Sequence, residues 1–158
     1  MDSHGKPPQN EPVIRLLLAD DHGVLRAGLC ALLEREPDMV VVGEAENGTE
    51  AEEKVEELGP DVVIMDLSMP GGGGVEATRR LRRRFPEVKI LVLSMHDDRS
   101  LLNQLLRAGA AGYVVKRAVH TELLTAIRAV GRGDMFLDPS LVKEVVPEGK
   151  LVLTCWHP

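Results

Sequence analysis

One rhythm runs through this sequence five times: a short apolar run, a turn, then a longer amphipathic stretch. The apolar runs are VIRLLLA (13–19), MVVVGEA (39–45), DVVIMDL (61–67), VKILVLS (88–94) and GYVVK (112–116). Several are rich in Val and Ile and nearly continuous, the pattern of strands covered on both faces. The first stretch between them, 24–35, carries Leu25, Leu29, Leu32 and Leu33 at helical spacing. Asn47 with Glu50 three residues on predicts the start of a second helix, a variant capping box, and Gly59-Pro60 predicts its end. Further helices are expected over 75–85, 99–110 and 121–133, the last stopping at Gly131 and Gly133. Such regular alternation means βαβ crossovers, hence a parallel sheet with helices on both faces.

Aromatic residues are only 3% of the chain, so the core must be built from Val, Leu, Ile, Ala and Met. The net charge of −6 argues against general affinity for nucleic acid or anionic membranes. No apolar run is long enough to span a bilayer, and residues 1–12 lack a signal-peptide core. That stretch is expected to be a disordered N-terminal tail. Cys30 and Cys155 form no metal-ligand spacing and read as reduced thiols of a cytoplasmic protein.

Strands of a parallel sheet point one way, so residues at their carboxyl ends share an edge, and ligands bind there. The first strand ends in Asp20-Asp21, the third in Asp66, the fourth in Ser94 and the fifth in Lys116. Taken singly, each has a plain explanation as a helix cap, turn former or surface charge. Together they bring three carboxylates, a hydroxyl and an ammonium to one crevice. Three adjacent carboxylates stay ionised only with a cation between them, and an all-oxygen site with room for water suits Mg²⁺. Asp66 is then placed as a nucleophile for phosphoryl transfer, with the metal and Lys116 offsetting charge on the phosphoryl oxygens and Ser94 able to donate to one of them.

The segments LLADDH (17–22), VVIMDLSMPGGGGVEA (62–77), VLSMHDD (92–98) and GAAGYVVKRA (109–118) resemble the bacterial two-component response-regulator receiver domain, most closely of the NarL/FixJ type. The resemblance covers about residues 13–133. It implies a flavodoxin-like (βα)5 fold: an α/β, five-stranded parallel sheet in the order 2-1-3-4-5. It also implies that Asp66 is the phosphoacceptor and that Asp21 ligates Mg²⁺, with Asp20, Asp66 and the backbone carbonyl of Ser68 completing the protein's share of the site. Ser94 and Tyr113 would be the switch pair and Lys116 the phosphoryl-oxygen ligand. The implied partner is a sensor histidine kinase, with small acyl phosphates as substitute donors. A homodimer through residues 98–131 is the expected output surface. Relatives of this type carry a LuxR-type helix-turn-helix, so DNA would be reached only through a domain missing here, and residues 134–158 read as linker and tail.

The sequence departs from the family pattern in two further places. Gly71 to Gly74 fill the loop after the phosphoacceptor, where a polar residue usually stands, and Arg117 replaces the proline that often follows the lysine. The glycines are expected to let the loop pass close to the site. The run RRLRRRF (79–85) reads as a solvated helix face, with a docking patch for an acidic partner as the alternative. His22 and His96 lie near the site without an assigned role. An Asp-dependent phosphohydrolase is the rival from another class, but the position of its acid/base is held by Ser68, which would turn over poorly. A flavodoxin-like cofactor binder is disfavoured because DDHGVLR stands where a phosphate loop would. The expected role is a switch rather than an enzyme.

Overall fold

The computed structural model describes residues 12–67, 74–95, 99–139 and 141. The tails outside these bounds, Ser68, Gly71 to Gly73, His96 and Cys155 all lie outside the described residues. Strands and helices alternate as β1 (Ile14–Ala19), α1 (Gly23–Glu34), β2 (Met39–Ala45), α2 (Gly48–Leu58), β3 (Val62–Asp66), α3 (Gly74–Arg84), β4 (Lys89–Ser94), α4 (Arg99–Ala108), β5 (Gly112–Val115), α5 (Val119–Gly131) and β6 (Phe136–Leu137). A 3-10 turn, Lys116–Ala118, joins β5 to α5. All strands pair in parallel in the order β2-β1-β3-β4-β5-β6.

The near-continuous apolar runs are explained by two cores, one on each face. Successive strand side chains point to opposite faces. Leu17, Val63, Met65, Ile90, Val92 and Tyr113 pack with residues of α2, α3 and α4, among them Val55, Leu81 and Leu105. Their neighbours Leu16, Leu18, Ile64, Leu91, Leu93 and Val114 pack with residues of α1 and α5, among them Leu33, Leu123 and Ile127.

Local signals in α2 work as the residues suggest, with one shift. The Asn47 side chain accepts from the Glu50 N–H at 2.8 Å. Glu50 reaches back to the Glu46 N–H at 2.7 Å, one residue earlier than a capping box requires. Gly59 ends the helix at φ 59, a left-handed conformation that glycine adopts without a steric penalty.

The arginine run on α3 is a pairing face. Arg80 binds Glu52 at 2.6 Å, Arg84 binds Glu52 and Glu56 at 3.2 and 3.0 Å, and Arg82 donates to the Pro86 and Val88 carbonyls at 2.6 and 2.9 Å. Burial pushes the Glu52 carboxyl up, but hydrogen bonds from Arg80 and Arg84 more than reverse this and hold it below the ordinary carboxylate range.

The sixth strand is the correction to the five expected. Gly133, at φ 96, turns the chain after α5. Phe136 then donates to the Ala111 carbonyl at 3.1 Å and Asp138 to the Tyr113 carbonyl at 2.9 Å. Without this cover the outer edge of β5 would present unpaired backbone groups. Leu137 packs into one core and Phe136 against the other, as a strand of two residues must.

Across the opposite end of the sheet, α5 is tied to the segment between α1 and β2. Arg128 binds Asp38 at 2.9 Å and Glu36 at 2.7 Å. The hydrogen bond from Arg128 holds the Asp38 carboxyl below its usual value, against a smaller opposing effect of burial. A depressed carboxyl pKa contributes stability above the unfolded value, and the contribution disappears as pH falls through the folded value. The pair is partly exposed, so Arg128→Met should cost about 0.5–1 kcal/mol at pH 7. That cost should shrink at about pH 3, below the unfolded Asp value. Urea unfolding at both pH values checks this; an equal loss at both would assign the effect to packing of the arginine stem.

Candidate functional site

The expected residues converge at the carboxyl ends of the strands. Asp66 is the last residue of β3 and Ser94 the last of β4, both 1% exposed, and Asp20 follows β1 at 2%. Lys116 stands one residue past the end of β5, in the turn rather than the strand. Its Nζ lies 2.9 Å from the Asp66 Oδ2. Tyr113, on the core face of β5, is fully buried. Ser94 stands in register with Val115, which puts it beside the strand end that carries Lys116. The Lys116–Arg117 peptide is not cis, as no peptide among the described residues is.

Asp20 and Asp21 do not cap α1. The cap position is His22, which makes no side-chain cap hydrogen bond. Asp20 Oδ1 instead accepts the His22 N–H at 2.7 Å. Arg26 donates to the Asp20 carbonyl and binds Glu44 at 2.7 Å, fixing the β1 end against β2. One ligand atom each from Asp20, Asp21, His22 and Asp66 falls within 4.8 Å of the others. The His22 Nδ1 lies 3.2 Å from Asp20, 3.2 Å from Asp21 and 3.5 Å from Asp66. The sequence puts His22 near the site without a role; the structure sets its ring among three carboxylates.

Burial pushes the Asp20 carboxyl above its usual range, and the neighbouring Asp66 adds to this, while the His22 N–H and Lys116 oppose it. Its Oδ2 is buried and has no hydrogen-bond partner among the described residues. A buried carboxylate oxygen left without a donor is costly. A hard divalent cation coordinated by oxygen supplies what this atom lacks, so the donor set fits Mg²⁺.

The glycine run meets the site at its last member. A Cβ at Gly74 would stand 2.2 Å from the Leu67 Cδ2 and 3.0 Å from the Leu67 Cα. The first turn of α3 therefore approaches the residue after Asp66 more closely than an alanine allows. Asp138, within the stretch that reads as linker and tail, is also buried at 2% and reaches into the end of β5. Cys30 is no part of the site; burial and Glu44 push its thiol up to about 11, which keeps it protonated and unreactive.

Comparison with known proteins agrees with this geometry. Residues 16–128 match the response regulator receiver domain family. The transcriptional regulatory protein DegU of Brevibacillus brevis is 41% identical over 139 residues, covering 88% of this chain and 59% of DegU. The chain spans about three fifths of the length of the curated relatives it matches. A two-component response regulator of the LuxR family from Aurantimonas sp. SI85-9A1 superimposes with a TM-score of 0.82 at 39% identity, covering 86% of this chain and 97% of that one. The isolated receiver domain of RcsB from Salmonella enterica serovar Typhimurium, solved with the phosphomimetic BeF3-, gives 0.76 at 32% identity, covering 82% of this chain and 96% of that one. With a doubly wound sheet, an acidic crevice and a lysine facing its central aspartate, the chain belongs to the family of response regulator receiver domains, signalling modules of two-component systems rather than enzymes.

Proposed function

We propose that the chain is a phosphorylation-controlled switch with Asp66 as its phosphoacceptor. The observation that carries this reading is the buried Asp66 carboxylate held 2.9 Å from the Lys116 ammonium, beside an Asp20 oxygen that lacks a donor among the described residues. In the reaction an Asp66 oxygen forms a bond to phosphorus, and the bond from phosphorus to the donor's leaving atom breaks. That leaving atom, an imidazole nitrogen of a histidine kinase or an oxygen of an acyl phosphate, keeps the electron pair. Lys116 holds a phosphoryl oxygen while negative charge spreads over the group. Asp20, Asp21, Asp66 and the backbone carbonyl of Ser68 would hold Mg²⁺, which when bound neutralises charge on the phosphoryl oxygens.

The modified state favours an arrangement in which Ser94 turns toward the phosphoryl group and Tyr113 lies inside the core. The readout surface is residues 98–131, through which a second copy would dock. The unit that performs this is residues 13–133 together with β6 and Asp138, which close the β5 edge. The RcsB receiver solved in the presence of the phosphomimetic BeF3- supports reading the crevice here as a phosphoryl site. Another RcsB structure contains dimers bound to DNA; for this chain, DNA contact would require a further domain of the kind its longer relatives have room for. No helix among the described residues is long and apolar enough to cross a membrane, and a partner kinase would be met in the cytoplasm.

Incubation with acetyl phosphate, followed by intact-mass spectrometry, tests the reading. The native chain should gain one phosphoryl adduct with Mg²⁺ and none in EDTA. No adduct under either condition would leave a module that signals by binding alone.

A further inference from the structure

Asp138 is a buried carboxylate that the phosphoacceptor chemistry does not use. It stands just past β6, and its side chain reaches beyond its own turn. Its Oδ2 accepts the Val115 N–H at 3.0 Å, 23 positions back along the chain. Its own N–H donates to the Tyr113 carbonyl at 2.9 Å. These two bonds grip the last three residues of β5 from the outside. The next residue is Lys116, whose Nζ meets Asp66 at 2.9 Å.

The side chain completes what the short strand cannot. Paired positions between β5 and β6 end at Tyr113 and Leu137, so the Val115 N–H lies beyond the reach of the ladder. A carboxylate acceptor there makes a charge-assisted bond, roughly twice as strong as an amide one. Leu137 packs in the same core as Tyr113, so the segment is anchored on the face that holds the proposed switch tyrosine.

We propose that Asp138 is a positioning residue for Lys116, making the readiness of the phosphoacceptor site depend on whether segment 136–139 is docked on β5. The inference rests on the phosphoacceptor reading above and adds its regulation. Linkage runs both ways: whatever strengthens the Lys116–Asp66 or Lys116–phosphoryl contact also strengthens docking of the segment, and tension on the segment weakens the site.

The test has one arm that needs no phosphoryl donor. Lysine acylation by a limiting amino-reactive ester, mapped by peptide mass spectrometry, reports how well Lys116 is held. Asp138→Ala should raise Lys116 labelling about threefold or more against Lys54 and Lys89 in the same sample. Asp138→Asn, which keeps an acceptor of the same shape, should restore most of the protection. Leu33→Ala, in the opposite core, controls for general loosening and should not favour Lys116. In the second arm, Asp138→Ala should slow phosphorylation by acetyl phosphate about tenfold. It should slow a Lys116→Met variant no further, since both changes remove one device. Unchanged relative labelling of Lys116, or the same rise in Leu33→Ala, would overturn the proposal, and so would additive slowing in the double variant. A native chain that takes no adduct would count against the phosphoacceptor reading alone, because the labelling arm still decides the role of Asp138.

Discussion

Asp66→Asn should take up no phosphoryl group from acetyl phosphate at any Mg²⁺ concentration, yet unfold at a higher temperature than the native chain in EDTA. Loss of the adduct follows from removing the nucleophile, since an amide oxygen does not form the acyl phosphate. The gain in stability follows from the surroundings. Asp66 and Asp20 are both almost wholly buried, and Asp20 has an oxygen without a donor among the described residues. Burial and the charge of Asp66 both push the Asp20 carboxyl up, which marks the ionised pair as a cost to the folded state. A neutral amide at 66 removes the repulsion and keeps an acceptor for Lys116. We expect a gain of about 1–2 kcal/mol, in the range found when functional strain is relieved. Mg²⁺ should stabilise the native chain by mass action and the variant much less, so the gap closes as the metal is added. Thermal unfolding in EDTA and across a Mg²⁺ titration measures both effects. A variant less stable than the native chain in EDTA would show that the Lys116–Asp66 pair outweighs the repulsion among the carboxylates.

The second large effect is expected at Lys116. Lys116→Met keeps the length and apolar body of the side chain and removes only the ammonium. The side chain is 13% exposed and its charge lies 2.9 Å from Asp66, so its influence is exerted in a site largely shielded from water. Loss of one preorganised partner of a developing oxyanion costs roughly 10² to 10³ in rate. Phosphorylation by acetyl phosphate should slow by that factor. Mg²⁺ affinity should hold or rise, because a competing cation has left the crevice. Rates from intact-mass time courses, set beside Mg²⁺ titrations of the same variant, separate the two. Rate and metal affinity falling together would mean that the lysine shapes the whole cluster instead of acting on the phosphoryl group.

Strand positions were legible because each of the first five is an apolar run bounded by turn residues, and the convergence of the strand ends followed from parallel topology alone. Asp66, Ser94 and Lys116 could thus be brought together from sequence. β6 could not, because Phe136-Leu137 is too short to show a period and its existence depends on the open edge of β5. Asp138 was hidden for a related reason: it lies in a stretch that reads as linker, and only tertiary structure reveals that its carboxylate serves Val115. His22 shows a different limit. A residue beside an acidic pair can point in several directions, and the placement of its ring among three carboxylates is decided by the tight turn into α1. On α3 the charge run was visible, but its partners Glu52 and Glu56 belong to a neighbouring helix, so a solvated face and a paired face look alike in one dimension.

The brevity of β6 bears on how this molecule behaves in a crowd of its own copies. A sheet edge several residues long is a template on which a second chain can lay a strand, and stacking can continue from there. Here that flank closes with a strand of two residues, and the carboxylate of Asp138 takes up the next free donor. The sheet therefore terminates itself on this side, and protection against edge-to-edge stacking rests on a handful of residues.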